Sequence, residues 1–229
     1  NPYWRMQKVK IFANIGTGFL APSLDQLFGQ FGPNPELAPE KSFSLEGGSE
    51  YVTSSFDVRV VMFDRNIDDM IIYTSRYENI DQQHVKGIEI EPSWKINRRL
   101  TVSGYYALMD GEVTTETSEG DSTYNDLIRK PAHAFGLTVN WEPLDNISIT
   151  TLFRHYGQRD DRFFSLATFT TETVNLEPYS LLDMYVEYQL NTTWSFFINL
   201  QNILDEEYEE VYGYNIRGRT ISGGLTVSF

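Results

Sequence analysis

The chain has 229 residues, a formal net charge of -14 and no cysteine. That balance excludes a nucleic-acid partner, which asks for a basic face, and the missing thiols exclude disulfides and thiolate metal sites. Hydrophobic residues make up 41% of the chain, yet no apolar run reaches the roughly 18 residues a membrane-crossing helix needs.

Read in chain order, segments of alternating apolar and polar residues recur instead, and alternation is the mark of a strand. The first is Val9–Phe19, with Ile11, Ala13 and Ile15 on one face and Phe12 and Asn14 on the other. Ser42–Tyr51 follows, with Phe43 and Leu45 opposite Glu46 and Glu50. From Phe56 to Tyr73, Phe56, Val58, Val60 and Met62 oppose Asp57 and Arg59; from His84 to Trp94, Ile88, Ile90 and Trp94 oppose Glu89 and Glu91. Leu100–Met109 carries Leu100, Val102, Tyr106 and Leu108 on one face, and Ala132–Trp141 carries Phe135, Leu137, Val139 and Trp141. Ile147–Tyr156, Tyr179–Leu190 and Trp194–Leu204 repeat the pattern, with Asp183 and Glu187 opposite Leu182, Met184 and Val186. The tenth segment runs from Arg219 to the end, with Ile221, Leu225, Val227 and Phe229 on one parity and Thr220, Ser222, Thr226 and Ser228 on the other.

Acidic side chains are costly against lipid. Glu46, Glu50, Asp57, Glu89, Glu91, Asp183 and Glu187 all fall on the parity opposite the apolar residues. Short connections (Val52–Ser55, Ile96–Arg99, Pro143–Asn146, Asn191–Thr193) alternate with long ones (Leu20–Lys41, Ser75–Gln83, Gly111–Ile128, Gln158–Pro178, Asp205–Gly218). A soluble sandwich has no such two-sided rule; a membrane β-barrel does, with short turns at the periplasmic rim and long loops outside. The 14% aromatic content suits the interfacial girdles of such a barrel. The fold expected is all-β, a transmembrane antiparallel β-barrel with its C-terminus on the periplasmic side. The start, NPYWRMQKVKIF, shows no signal peptide, so the chain is expected to be either a mature protein or a C-terminal piece of a longer one.

Two motifs carry a resemblance. Gly16 to Ser42 reads GTGFLAPSLDQLFGQFGPNPELAPEKS, with Phe19-x-Ala21-Pro22, Leu24 to Phe28, Asn34-Pro35 and Leu37-x-Pro39-Glu40-x-Ser42. Near the end stand Asn202, Leu204, Asp205 and Tyr208, then Gly218-Arg219, although Ile203 and Leu204 leave out the aromatic of the usual pattern. Both stretches resemble TonB-dependent outer-membrane receptors. The resemblance implies the last ten strands of a barrel of about 22, spanning residues 1–229, with the plug domain and the segment that contacts TonB outside this chain. It implies uptake of a scarce ligand. The last loop is most similar to the cobalamin receptors of the family; a ferric siderophore is the alternative, and a passive pore or an outer-membrane hydrolase are readings of other classes. Partners implied are outer-membrane lipid, the small-molecule ligand, the plug and TonB, and a surface lipoprotein. No cofactor is expected. The resemblance also makes Phe229 an assembly signal.

The bland reading of the motifs is architecture. Pro22 and Pro39 end strands, Gly32-Pro33 and Asn34-Pro35 are turn chemistry, and Ser23 is placed to cap a helical turn through Phe28. The histidines, His84, His133 and His155, are scattered and read as solvated or lumen-facing. Two acidic runs, Glu112, Glu116, Glu119, Asp121 and Asp126, and Asp205–Glu207 with Glu209 and Glu210, offer oxygens of the kind Ca²⁺ takes but lack a fixed loop spacing; solvated charge is the plainer reading. Ligand candidates are the loop aromatics Phe28, Phe31, Phe163, Phe164, Phe169, Tyr212 and Tyr214, with Arg217 beside them. Arg129 and Lys130 could hold an anion, or pair with the acidic lumen.

Overall fold

The computed structural model describes residues 2–73, 76–117, 120–124 and 127–228. Phe229, Glu119 and Asp126 lie outside them, as do the side chains of Glu116 and Asp121. Alternation has done what alternation predicts: each of the ten segments is a strand. In order the strands are β1 (Tyr3–Met6), β2 (Val9–Leu20), β3 (Glu40–Val52), β4 (Phe56–Tyr73), β5 (Tyr77–Asn97), β6 (Leu100–Thr117), β7 (Gly120–Tyr124), β8 (His133–Leu144), β9 (Ile147–Tyr156), β10 (Arg159–Ser165), β11 (Thr170–Leu176), β12 (Tyr179–Gln189), β13 (Trp194–Gln201) and β14 (Thr220–Val227). The helix α1 (Leu24–Phe28) lies between β2 and β3. Twelve strands pair in one sheet in the order β1-β2-β3-β4-β5-β6-β8-β9-β12-β13-β14, with β7 on β6; β10 and β11 pair separately. Every register on this path from β8 onward is antiparallel.

Four strands lie where no strand was expected. β1 folds back on β2 (Tyr3↔Phe12, Met6↔Val9). β7 and the end of β6 turn the expected loop Gly111–Ile128 into a hairpin (Val113↔Tyr124, Thr117↔Gly120). β10 and β11 do the same within Gln158–Pro178 (Arg159↔Leu176, Ser165↔Thr170). The expected loop Ser75–Gln83 is mostly strand as well, because β4 and β5 leave only residues 74–76 between them. None of these segments sustains a run of alternating apolar and polar residues: β1 is only four residues long, and β7, β10 and β11 mix polar and apolar residues without a lasting period of two.

The chain divides into two compact units. One comprises Glu50–Val60, Glu89–Leu108 and Ile128–Phe229. Its apolar parity is exposed rather than cored: Leu137 and Ile198 are 46% and 51% accessible, while among the described residues the one fully buried large side chain is Asp161. A soluble fold buries the apolar set; a sheet that presents it outward suits lipid. The polar face carries a cavity of about 530 Å³ bordered by Glu50, Asp57, Arg59, Glu91, Tyr105 and Thr138. Arg59 bridges Glu50 (3.7 Å) and Glu91 (3.4 Å) there, and Arg154 pairs with Asp183 at 2.5 Å. Tyr105 lies over Gly136, where a Cβ would meet its ring at 2.4 Å. Short turns in this unit are fixed by their own polar residues: Asn97 Oδ1 accepts the Arg99 N–H (2.8 Å), and Asn191 Oδ1 those of Thr193 (2.9 Å) and Trp194 (3.0 Å).

The other unit comprises Asn1–Ser49, Val61–Ile88 and Met109–Leu127. Here the apolar parity changes character along each strand. On β4 it passes from Met62 to Asp64, and on β5, read backwards, from Ile88 to Lys86 and His84. His84 Nε2 pairs with Asp64 (2.8 Å), its Nδ1 lies 3.8 Å from Glu112, and Lys86 meets Asp110 at 3.5 Å. The rule that acids avoid this parity therefore holds up to Met62 and Ile88 and ends beyond them. The strands outrun the apolar band, and charge is tolerated where the band stops.

The histidines correct the lumen-facing option. His84 shares the parity of Ile88. His133 Nδ1 bonds the Tyr106 hydroxyl at 2.8 Å, and the His155 ring lies 5.0 Å from that of Phe135. All three belong to the face of the apolar residues, not to the acidic one.

Candidate functional site

Three long connections meet at one strand. β10 is short, and alternation puts Arg159, Asp161 and Phe163 on one of its faces. Arg159 and Asp161 are 5% and 0% exposed, which for charged side chains demands partners. Asp161 has them. Its Oδ1 accepts the Arg129 Nε–H at 2.6 Å and the Arg162 N–H at 2.8 Å, and its Oδ2 accepts the Tyr212 N–H at 2.8 Å. Burial alone would push this carboxyl up; the Tyr212, Arg129 and Arg162 donors outweigh that and hold it below the usual aspartate range. Arg159 Nη2 donates to the carbonyls of Glu177 (3.2 Å) and Glu209 (3.1 Å), and its guanidinium lies 4.6 Å from the Tyr179 ring centre. Phe163 completes the face, its ring 4.4 Å from that of Tyr212.

The motif near the chain's end proves to be scaffolding for the loop 202–219. Asn202, 5% exposed, donates its side chain to the Glu206 carbonyl and accepts the Glu206 N–H, both at 2.9 Å. Its own N–H goes to Asp183 Oδ1 at 2.8 Å. Asp205 Oδ1 accepts the Arg219 N–H at 3.0 Å, and a Cβ on Gly218 would crowd the same oxygen at 3.4 Å. Tyr208 stacks on Tyr179 with centroids 4.1 Å apart, and burial, with the Glu210 charge second, pushes the Tyr208 hydroxyl up. The missing aromatic at 203–204 is no obstacle to this arrangement, because none of these bonds uses those side chains. A cavity of about 680 Å³ lies between the end of β11 and this loop, bordered by Asn175, Glu177, Tyr208, Tyr212, Asn215 and Ile216.

The first motif behaves alike. Ser23 Oγ accepts the Gln26 N–H (3.2 Å) while Gln26 Oε1 accepts the Ser23 N–H (2.7 Å), a complete capping box on α1. Asn34 donates its side chain to the Tyr77 carbonyl (2.9 Å) and accepts the Glu36 N–H (3.0 Å).

The candidate ligand residues separate into groups. Phe28 and Phe31 are 67% and 76% exposed near α1. Phe164 and Phe169 pack edge to face at the β10–β11 tip, with centroids 6.5 Å apart. Tyr214 and Arg217 are exposed on the last loop. Phe163 and Tyr212 are brought together, and Arg129 is drawn to Asp161 rather than left for an anion. Sequence reading missed Arg159 and Asp161, the two residues that organise the rest. The signal available was an Arg-x-Asp-x-Phe alternation inside a supposed loop. Among the described residues, no three His, Asp or Glu side chains converge to hold a metal ion. His155 Nδ1 lies 2.9 Å from Ser180 Oγ, but among the described residues no carboxylate orients that ring as a hydrolase would require.

Comparison with known proteins agrees with this architecture. The model of the family described as TonB dependent receptor-like, beta-barrel matches residues 2–203. The chain belongs to that family. Among solved structures, this receptor barrel is similar to the ferric-catecholate import receptor Fiu from Escherichia coli K12 (20% identity, TM-score 0.75, 98% of this chain and 33% of that one). It is similar also to the ferripyoverdine receptor of the Pseudomonas aeruginosa outer membrane (16%, 0.78, 98% and 32%) and to the copper transporter OprC (17%, 0.73, 96% and 37%). The chain spans about a third of the length of the solved structures it matches. At these identities the likeness concerns the fold.

Proposed function

We propose that the intact protein is a TonB-dependent outer-membrane receptor that takes up a ferric siderophore, and that this chain supplies the C-terminal part of its barrel. The family match over residues 2–203 carries the receptor reading. Siderophore is preferred to the cobalamin suggested by the last loop because two of the similar solved structures are a ferric-catecholate import receptor and a ferripyoverdine receptor. The exposed apolar parity supports a place in the outer membrane, with the long connections outside and the C-terminus on the periplasmic side. A plug domain and TonB complete the machine; lipid surrounds it, and a surface lipoprotein is a further partner at the loops. Ligand contacts in this reading are Phe28, Phe31, Phe163, Phe164, Tyr212, Tyr214 and Arg217, with Arg129 moved to a positioning role.

The test is a binding titration on the intact receptor with ferric siderophores and with cobalamin. Saturable binding of a ferric chelate and none of cobalamin is expected. Saturable cobalamin binding alone would reverse the choice of ligand.

A further inference from the structure

One face of β10 grips the last loop at both ends of a short stretch. Arg159 holds the Glu209 carbonyl, Asp161 holds the Tyr212 N–H, and the Phe163 ring packs on that of Tyr212. The two charged grips are two residues apart on one strand, and the groups they hold are three residues apart on the loop. Asp161 also reaches back to Arg129, and the Arg129 N–H donates to the Asp160 carbonyl at 2.7 Å. Three connections far apart in sequence are thus tied to one strand through two nearly inaccessible charges.

We propose that Arg159 and Asp161 are positioning residues of the receptor: they lock the segment 128–132, the β10–β11 hairpin and the loop 202–219 into one body before any ligand arrives, so that the cavity beside Tyr208 and Tyr212 is preformed. Several observations favour a fixed body over loops that order on binding. Every donor and acceptor belongs to the chain itself, and the bonds are within ordinary hydrogen-bond range. The buried charges have no solvated alternative while the hairpin stays packed. A preformed cavity also removes an ordering cost that a ligand would otherwise meet. What enters the cavity rests on the receptor reading above; the clamp itself does not.

The experiment is amide hydrogen exchange on the full-length receptor, comparing wild type with Asp161→Asn, Asp161→Ala and Arg129→Ala, alongside titration with a ferric tris-catecholate. Losing a buried acceptor with three donors should raise exchange about tenfold to a hundredfold in Asp161→Ala, and less in Asp161→Asn, which keeps an oxygen. The rise should appear together in 128–132, 159–165 and 209–214, with β8 and β9 unchanged. Arg129→Ala leaves both N–H bonds to the carboxylate, so it should loosen 128–132 and spare 209–214. It keeps the test decisive if Asp161→Ala does not assemble. Exchange that rises only around residue 161, or 209–214 already unprotected in wild type, would overturn the clamp. Weaker catecholate binding in proportion to the loss of protection is the expected second result, because only the ordered fraction is competent. Binding unchanged while all three segments loosen would overturn the preformed-cavity part. Absence of binding in the wild type would instead count against the siderophore reading, leaving the exchange result to decide the clamp.

Discussion

Replacing Leu137 with Arg should damage the barrel, and replacing Glu187 with Leu should not. Leu137 is the second of Phe135, Leu137, Val139 and Trp141 on β8. It is paired with Gly104 on β6 and Phe153 on β9 and is 46% accessible on the apolar face. Its position puts it near the centre of the apolar band, where an arginine costs about 2–4 kcal/mol. That cost corresponds to roughly a 30- to 700-fold change in the folding equilibrium. Glu187 lies on the opposite face of β12, registered with Phe197 and Ser148, and its replacement asks nothing of lipid. The assay is urea unfolding of the full-length protein in vesicles, with the heat-modifiable folded band as a second readout. Leu137→Arg should lower both the midpoint and the folded yield, and Glu187→Leu should keep both near wild type. Equal damage from the two substitutions would refute the assignment of faces.

Other outcomes follow from single contacts. Asn202→Ala removes a side chain that both donates to and accepts from Glu206; it should destabilise loop 202–219 by about 1–3 kcal/mol, seen as faster exchange of the Glu206 amide. The Asp161 carboxyl is held below its ordinary value of 3.8, so it adds stability above that value and loses it as pH falls through the lower folded one. Loop protection should therefore be constant from pH 7 down to about 5 and fall only in stronger acid, and Asp161→Asn should flatten that response. Phe229 lies outside the described residues. As an assembly signal it predicts that Phe229→Leu lowers membrane-inserted yield while leaving the urea midpoint of assembled barrels almost unchanged; burial alone, worth roughly 1.5–3 kcal/mol for a whole Phe, would move both together.

The strands that touch the apolar band were legible because lipid enforces a period of two. Ile88, Ile90 and Trp94 against Glu89 and Glu91 already state which face is which. Beyond the band that pressure ends. Asp64, His84 and Glu112 then share the parity of apolar residues, and β7, β10 and β11 read as loop. The helix cap was visible at Ser23 because a cap is local; the reciprocal bond from Gln26, three residues on, completes it in the structure. The clamp was not, because Asp161 takes its partners from 32 and 51 residues away, and no local pattern encodes such distances. The motif near the end resembles the family's pattern through residues such as Asn202, Asp205 and Arg219, and their bonds shape a loop. It therefore says less about what is carried than about what does the carrying.

Radio-iron uptake by cells that carry the full-length receptor tests the central claim most directly. Cells supplied with ferric siderophore should accumulate iron saturably, and accumulation should stop when either the receptor or TonB is removed. Uptake that is unsaturable and indifferent to TonB would mark a passive pore and contradict the account.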